Sequence, residues 1–328
     1  SVGYFGPKSR AAFGGGSVGT VPPPPPPPLP PPVGTTPPPV VVAAGSLGVA
    51  AAATQPANSL APFNAVRVPF TNLVLTAGSS DVVVNGITIE RTGLSADSNF
   101  SGVVLLDSNG SQMDIEKTFG SDHKAVVGGT FTVKAGTSAT FTVAGNLAAS
   151  VSGGQVASLS VVAVNTTAAV SGTLPITGAS HTVNATLTIG DVTLARGSTD
   201  PGSSQSKEVG TTGYTFSSIR VTAGSAEKVY LKSMRWNQTG SAGSGDLGNV
   251  KTYVEGVAYD TSVSSDGKYY TARFMDNNGK GLLIDKGFSK DLSIKGDVVG
   301  GSGRSVDFDV AKRVDIDVVG ETYGYGIK

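Results

Sequence analysis

The chain has 328 residues with 24 Lys plus Arg against 24 Asp plus Glu, so its formal charge is zero, and it contains no cysteine. Neutrality without Lys/Arg clusters argues against a phosphate backbone as partner. The missing thiols exclude disulfides, thiolate metal sites and cysteine nucleophiles together. No run of 18 apolar residues exists to span a bilayer. A composition rich in Gly, Ser, Thr, Val and Ala, with only 15% charged residues, reads as all-β.

Residues 1–20 open with Gly3-Tyr-Phe-Gly-Pro-Lys-Ser-Arg-Ala-Ala-Phe13. This stretch resembles the end of a bacterial peptidoglycan-binding repeat, in which such a segment forms the loop and start of the last helix. The earlier helices of that repeat are missing, and Gly14-Gly-Gly16 replaces the continuation of the final one, so glycan binding is not assigned here. No basic segment followed by an apolar one marks a signal peptide. Starting at Ser1 without Met, the chain is expected to be a fragment or a processed product.

Val21 to Pro39 is almost pure proline, with seven in a row from Pro22. Proline fixes φ and removes the amide donor, which dictates polyproline II. At about 3.1 Å per residue this arm would span roughly 60 Å. A stalk or linker is the preferred reading; a polyproline ligand for an aromatic groove is the alternative. Val40, Val41 and Val42 follow as a short β-branched segment.

Residues 40–180 and 181–328 read as two copies of one module. Phe70-Thr-Asn-Leu-Val-Leu-Thr-Ala-Gly-Ser79 reappears as Phe216-Ser-Ser-Ile-Arg-Val-Thr-Ala-Gly-Ser225. Val82, Val84, Ile87 and Ile89 match Val229, Leu231, Met234 and Trp236. Asn99 to Val103 matches Asp246 to Val250, and Phe141, Val143, Gly145 and Leu147 match Leu292, Ile294, Gly296 and Val298. The opening strands are aligned as Leu47…Thr54-Gln-Pro56 with Leu187…Thr199-Asp-Pro201. Within each copy the apolar residues alternate, as one-sided strands do, and Gly- and Asn-rich turns separate them. About eight strands per copy, at this spacing, give two tandem Ig-like β-sandwiches behind an extended polyproline arm.

The stretches Leu73-Val-Leu-Thr-Ala-Gly78, Ile87 to Gly110 and Thr322-Tyr-Gly-Tyr-Gly-Ile327 resemble tandem β-modules of large surface proteins in candidate-phyla bacteria. There they often follow a peptidoglycan-binding domain and a proline-rich linker. The resemblance covers Val40 to Ile327 and implies a surface-layer or appendage role.

Candidate chemistry is sparse. The two histidines are His123 and His181. His123 lies in Ser-Asp-His-Lys, which aligns with Ser-Asp-Gly-Lys around Asp266, so the module does not need the imidazole. No nucleophile-elbow context surrounds a serine, and no catalytic residue is nominated. Asp107 and Asp276, in Asp-x-Asn-Gly turns, and Asp97 and Asp246, in corresponding loops, offer oxygen ligands that calcium would accept. Asx-turns are the preferred account of the two turns, and no other cofactor is expected. Asn-x-Ser/Thr sequons occur at Asn99, Asn109, Asn165, Asn184 and Asn237. Trp236 matches Ile89 and should be core.

Tyr323 and Tyr325 alternate with glycines and, with Val40, Val41 and Val42, are the candidate self-assembly residues, although packing in a core or strand is the preferred account of the two rings. The expectation is a secreted, non-enzymatic structural subunit of a bacterial surface layer or filament. Its partners would be copies of itself, and peptidoglycan or cell-wall glycan is a possible second partner. A wall-attached adhesin or glycan-binding stalk, with its affinity in loops such as Gly240 to Asp246, is the alternative.

Overall fold

The computed structural model describes residues 45–202 and 204–327. The peptidoglycan-like start, the polyproline arm and Val40, Val41 and Val42 lie outside the described residues. Among the described residues no helix is long and apolar enough to cross a membrane.

In the first module, the strands are β1 (Ser46–Ala51), β2 (Leu60–Pro62), β3 (Val68–Ala77), β4 (Val82–Thr92), β5 (Phe100–Leu106), β6 (Lys124–Val127), β7 (Phe131–Val133), β8 (Ser138–Leu147), β9 (Val156–Thr166), β10 (Ala169–Ser171) and β11 (Ile176–Asn184). They form two facing sheets, ordered β10-β1-β3-β8-β5 and β2-β11-β9-β4-β6, with β7 also on β4. Alternation sends Leu73, Leu75, Val84, Ile87, Ile89, Val143 and Leu159 into the core between them. The apolar phase of β4 slips by one between Val84 and Ile87, and there the pairing to β9 breaks register. Gly86 takes φ of 111° at that bulge, a conformation closed to most side chains.

The second module comprises β12 (Val192–Arg196), β13 (Tyr214–Ala223), β14 (Val229–Thr239), β15 (Leu247–Val254), β16 (Val257–Val263), β17 (Tyr269–Arg273), β18 (Leu282–Ile284), β19 (Ser289–Val298), β20 (Asp307–Asp309) and β21 (Ile316–Gly320). It repeats the first at the level of registers and irregularities. β3 bulges against β8 between Pro69 and Thr71, and β13 bulges against β19 between Thr215 and Ser217. At that bulge Gln55 Oε1 accepts the Asn72 amide at 2.9 Å, and Asp200 Oδ2 accepts the matching Ser218 amide at 3.0 Å. Trp236 is buried, its indole N–H donating to Thr252 Oγ1 at 2.9 Å. His123 and Gly267 hold the same turn with φ of 60° and 71°.

Two features separate the modules. β16 pairs with both β15 and β17 and so joins the two sheets of the second module into one curled sheet. The counterpart of β9 is split into β20 and β21 by the short helical turn Arg313–Asp315. There the buried Asp315 accepts Arg235 Nε at 2.7 Å and the Lys312 amide at 2.8 Å.

Two sequence expectations are corrected. β11 runs to Asn184 in the first module, so a boundary at 180/181 cuts a strand. The counterpart of Leu47 is Val192, which faces Ala223 as Leu47 faces Ala77, and Leu187 instead packs on the first core. An apolar residue in the connection imitates the missing strand position.

Candidate interaction site

The candidate calcium residues are engaged by the chain itself. Asp97 meets Arg91 and, at 2.6 Å, His123 Nδ1. Burial opposes its charge, but those two donors hold its carboxyl below the usual carboxylate range. Asp246 accepts the Gly243 amide at 2.8 Å and Arg304 Nη1 at 2.7 Å, and the same two donors lower its carboxyl. Its positional counterpart is Asn99, as the repeat aligns them: each closes a short helical turn before β5 or β15. Asp107 caps its own turn, accepting the amides of Asn109 at 2.8 Å and Ser111 at 2.9 Å. Asp276 accepts the Tyr259 hydroxyl at 3.1 Å; burial and that carboxylate push the phenol up to about 12. Among the described residues no group of three His, Asp or Glu side chains converges as a metal site would require.

His181 is buried edge-on to Phe70. Its Nδ1 accepts the Ser59 amide at 3.0 Å, and its Nε2–H donates to the Pro69 carbonyl at 2.8 Å. The Ser59 hydroxyl lies 3.0 Å from the same Nδ1. The nitrogen's single lone pair already faces a backbone donor, so the pair fastens Ser59 to β3.

The modules meet along a joint built by the 64–67 segment and the last residues. Asn64 and Arg67 take φ of 62° and 54°, which turns the chain sharply into β3. Arg67 Nη2 then reaches Asp317 Oδ1 at 3.1 Å and the Ile316 carbonyl at 3.3 Å. The Val66 amide donates to the Gly326 carbonyl at 2.9 Å, and Gly326 also bridges to Val319 of β21. The buried Glu227 carboxylate accepts the amides of Gly190, Thr322 and Tyr323 at 2.8, 2.9 and 3.2 Å. It thereby ties the module connection to the final loop.

Tyr325, expected as a self-assembly residue, belongs to this joint. Its ring packs on the first core and its hydroxyl donates to the Leu60 carbonyl at 2.8 Å. Tyr323 stays exposed. Neither Arg67 nor Glu227 stood out in the sequence, because a lone charge between apolar runs reads as solvated surface.

Beside the joint runs a groove of about 720 Å³. Val192 and Leu194 of β12 form one wall, Ile316 and Val318 of β21 another, and Val66, Arg67, Ile115 and Glu116 of the first module close it. It is the seam of the curled sheet, whose two margins among the described residues are β12 and β20–β21. In the first module the corresponding margins are covered. β10 lies parallel on β1, and β11 lies antiparallel on β9, with Ile176, Ala179, His181 and Val183 buried. Among the described residues β12 pairs only with β13, and only Tyr325–Ile327 begins to line β21.

No family model matches the chain, and no curated protein matches it. Among solved structures it is similar to the C-terminal domain of the Streptococcus pyogenes antigen I/II-family protein AspA, at 10% identity over 86% of this chain and 97% of that one, with a TM-score of 0.20. It is also similar to the full-length major pilin RrgB of Streptococcus pneumoniae, at 14% identity over 66% of this chain and 39% of that one, with a TM-score of 0.17. A family 123 glycoside hydrolase from Clostridium perfringens matches at 12% identity over 43% of this chain and 27% of that one, with a TM-score of 0.23. At TM-scores this low, the two-sandwich architecture rests on the chain's own strand pairing.

Proposed function

We propose that this chain is a non-catalytic structural subunit of a bacterial cell-surface assembly, a surface layer or filament, whose copies join through strand edges and the N-terminal arm. The observation that carries the reading is the edge strand β12, which among the described residues pairs on one side only, with β13. An exposed row of backbone donors and acceptors is a template for strand addition, and soluble proteins ordinarily blunt it. The candidate carboxylates support the reading in a second way, because each is committed to capping a turn or pairing with a side chain of the chain itself.

Negative-stain electron microscopy of the purified chain tests this. Regular filaments or arrays without added ligand are expected. Dispersed monomers that bind wall fragments would favour the adhesin or stalk instead.

A further inference from the structure

We infer that Asn109, alone among the five Asn-x-Ser/Thr sites, is an acceptor for an N-linked glycan on the folded chain. The inference stands apart from assembly and holds equally for a monomer.

The fold decides between the five sites, because sugar transfer needs an exposed carboxamide that the chain has not already engaged. Asn99 is 1% exposed. Its Nδ2 donates to Ser95 Oγ at 3.0 Å and to Gln155 Oε1 at 2.8 Å, and its Oδ1 accepts the Ser152 amide at 2.7 Å. Asn165 lies within β9 and donates to Thr88 Oγ1 at 3.2 Å. Asn237 sits inside β14, facing Tyr269 on one neighbouring strand and Asp309 on the other. Asn184 Oδ1 accepts the Thr186 and Leu187 amides at 2.9 and 2.6 Å. The Thr186 hydroxyl of the same motif donates to that oxygen at 3.3 Å, so motif and acceptor are locked together.

Asn109 differs on each count. It is exposed at the tip of the turn that follows β5, where Leu106 bridges to Gln112. Asp107 Oδ1 accepts the backbone amides of Asn109 and Ser111, so the turn is fixed without the Asn109 carboxamide. Among the described residues no hydrogen bond engages that side chain. A Cβ on the adjacent Gly110 would meet nothing within 4 Å, so the space around the tip is open. The Ser111 hydroxyl accepts Arg273 Nη2 at 2.7 Å and keeps its own hydrogen for an incoming partner. The same contact leans the tip on the second module, so a glycan here stands beside the contact between the modules.

The substrate class is a sugar activated as a glycosyl diphosphate. Its anomeric carbon forms a bond to Asn109 Nδ2 and breaks its bond to the diphosphate, which leaves with the electron pair. The carboxamide releases one proton, and no oxidant or reductant enters. The transferring enzyme is a separate protein that recognises the motif and supplies the base. A hairpin tip takes such a bulky, solubilising group without disturbing the core.

The test incubates the folded full chain with a purified bacterial oligosaccharyltransferase and a polyprenyl-diphosphate-linked oligosaccharide, and places the sugar by mass spectrometry. No Lys or Arg lies between Asn99 and Asn109, so fragmentation of their shared tryptic peptide assigns the site. One glycan per chain is expected, at Asn109, with Asn99, Asn165, Asn184 and Asn237 bare. Asn109→Gln and Ser111→Ala should each abolish transfer, whereas Ser111→Thr retains it, and circular dichroism checks that each variant folds. Comparable occupancy at any of the other four sites overturns the inference. So does an Asn109 left bare in the folded chain: acceptance by a peptide of residues 103–115 would then show that the fold hides the site, and refusal by that peptide that the motif is no acceptor.

Discussion

Val49 and Leu194 occupy one position of a template used twice, yet the first is sealed and the second faces solvent. Their own strands are alike, β1 pairing antiparallel with β3 as β12 pairs with β13. What differs is the layer beyond them, where Ser46, Leu47 and Gly48 pair with Ala169, Val170 and Ser171. Burial here is a property of the neighbours that a strand is given.

The joint between modules should weaken when its ion pair is cut. Arg67→Ala removes the contacts to Asp317 and to the Ile316 carbonyl, both largely shielded from water. The expected loss is about 1–3 kcal/mol, read from urea unfolding. Arg67→Ala and Asp317→Ala together should cost less than the sum of the two, because each removes the same interaction.

Glu227 should matter more than its single charge suggests. Glu227→Ala leaves three inward-facing amides without their acceptor. A loss of about 1–3 kcal/mol is expected, together with faster proteolysis after Glu321. Glu227→Gln keeps one acceptor oxygen and should retain part of the stability.

Neither Arg67 nor Glu227 is legible in the sequence, whereas the repeat and its apolar phase are. The slip of apolar phase in β4 and β14, from Val84 to Ile87 and from Leu231 to Met234, marks a bulge that the pairing contains. The repeat likewise carries the shared turn at His123 and Gly267 and the burial of Trp236. Strand addition is invisible at that level. β16 alternates weakly, and its role as a bridge between sheets depends on partners on both sides. Leu187 drew the opening strand to the wrong place because it is buried against the first module. Tyr325 looked like an exposed ring between glycines until the chain's own fold brought Leu60 to it. Which side of β12 stays unpaired among the described residues is likewise not recorded in a sequence read alone.

Acid should unfold the chain through its paired carboxylates. Arg220, above all, holds Asp291 well below the usual range, and Ser198 adds to this against the opposing effect of burial. Asp97 lies below its ordinary value as well. A carboxyl whose folded pKa is depressed contributes stability that is complete above its unfolded value of about 3.9 and is lost as pH falls toward its folded one. Thermal stability is therefore expected to hold from neutrality to about pH 4 and then to drop. Asp291→Asn should flatten that acid limb, and a melting series in pH checks it.

Gly326 should not accept a side chain. A Cβ there would lie 2.3 Å from the Val66 carbonyl oxygen, against the residue whose amide joins the modules by donating to the Gly326 carbonyl. Gly326→Ala is expected to lower the melting temperature by several degrees, in line with roughly 1–3 kcal/mol. His123→Gly is the contrast. It relieves a left-handed residue but removes an exposed contact to Asp97, so its net effect should fall within about 1 kcal/mol.

Calcium should leave the fold as it is. Asp97 and Asp246 already hold arginines, and Asp107 holds backbone amides. Melting temperatures with millimolar calcium and with chelator are expected to coincide; a rise of several degrees with calcium would assign those carboxylates to the metal.

The most direct measurement is amide hydrogen exchange across β12 as a function of chain concentration. Slower exchange at Val192–Arg196 with rising concentration is predicted, while the paired amides of β13 stay equally protected throughout. Exchange at β12 that is fast and independent of concentration, in a chain that nevertheless assembles, would contradict strand addition at the seam.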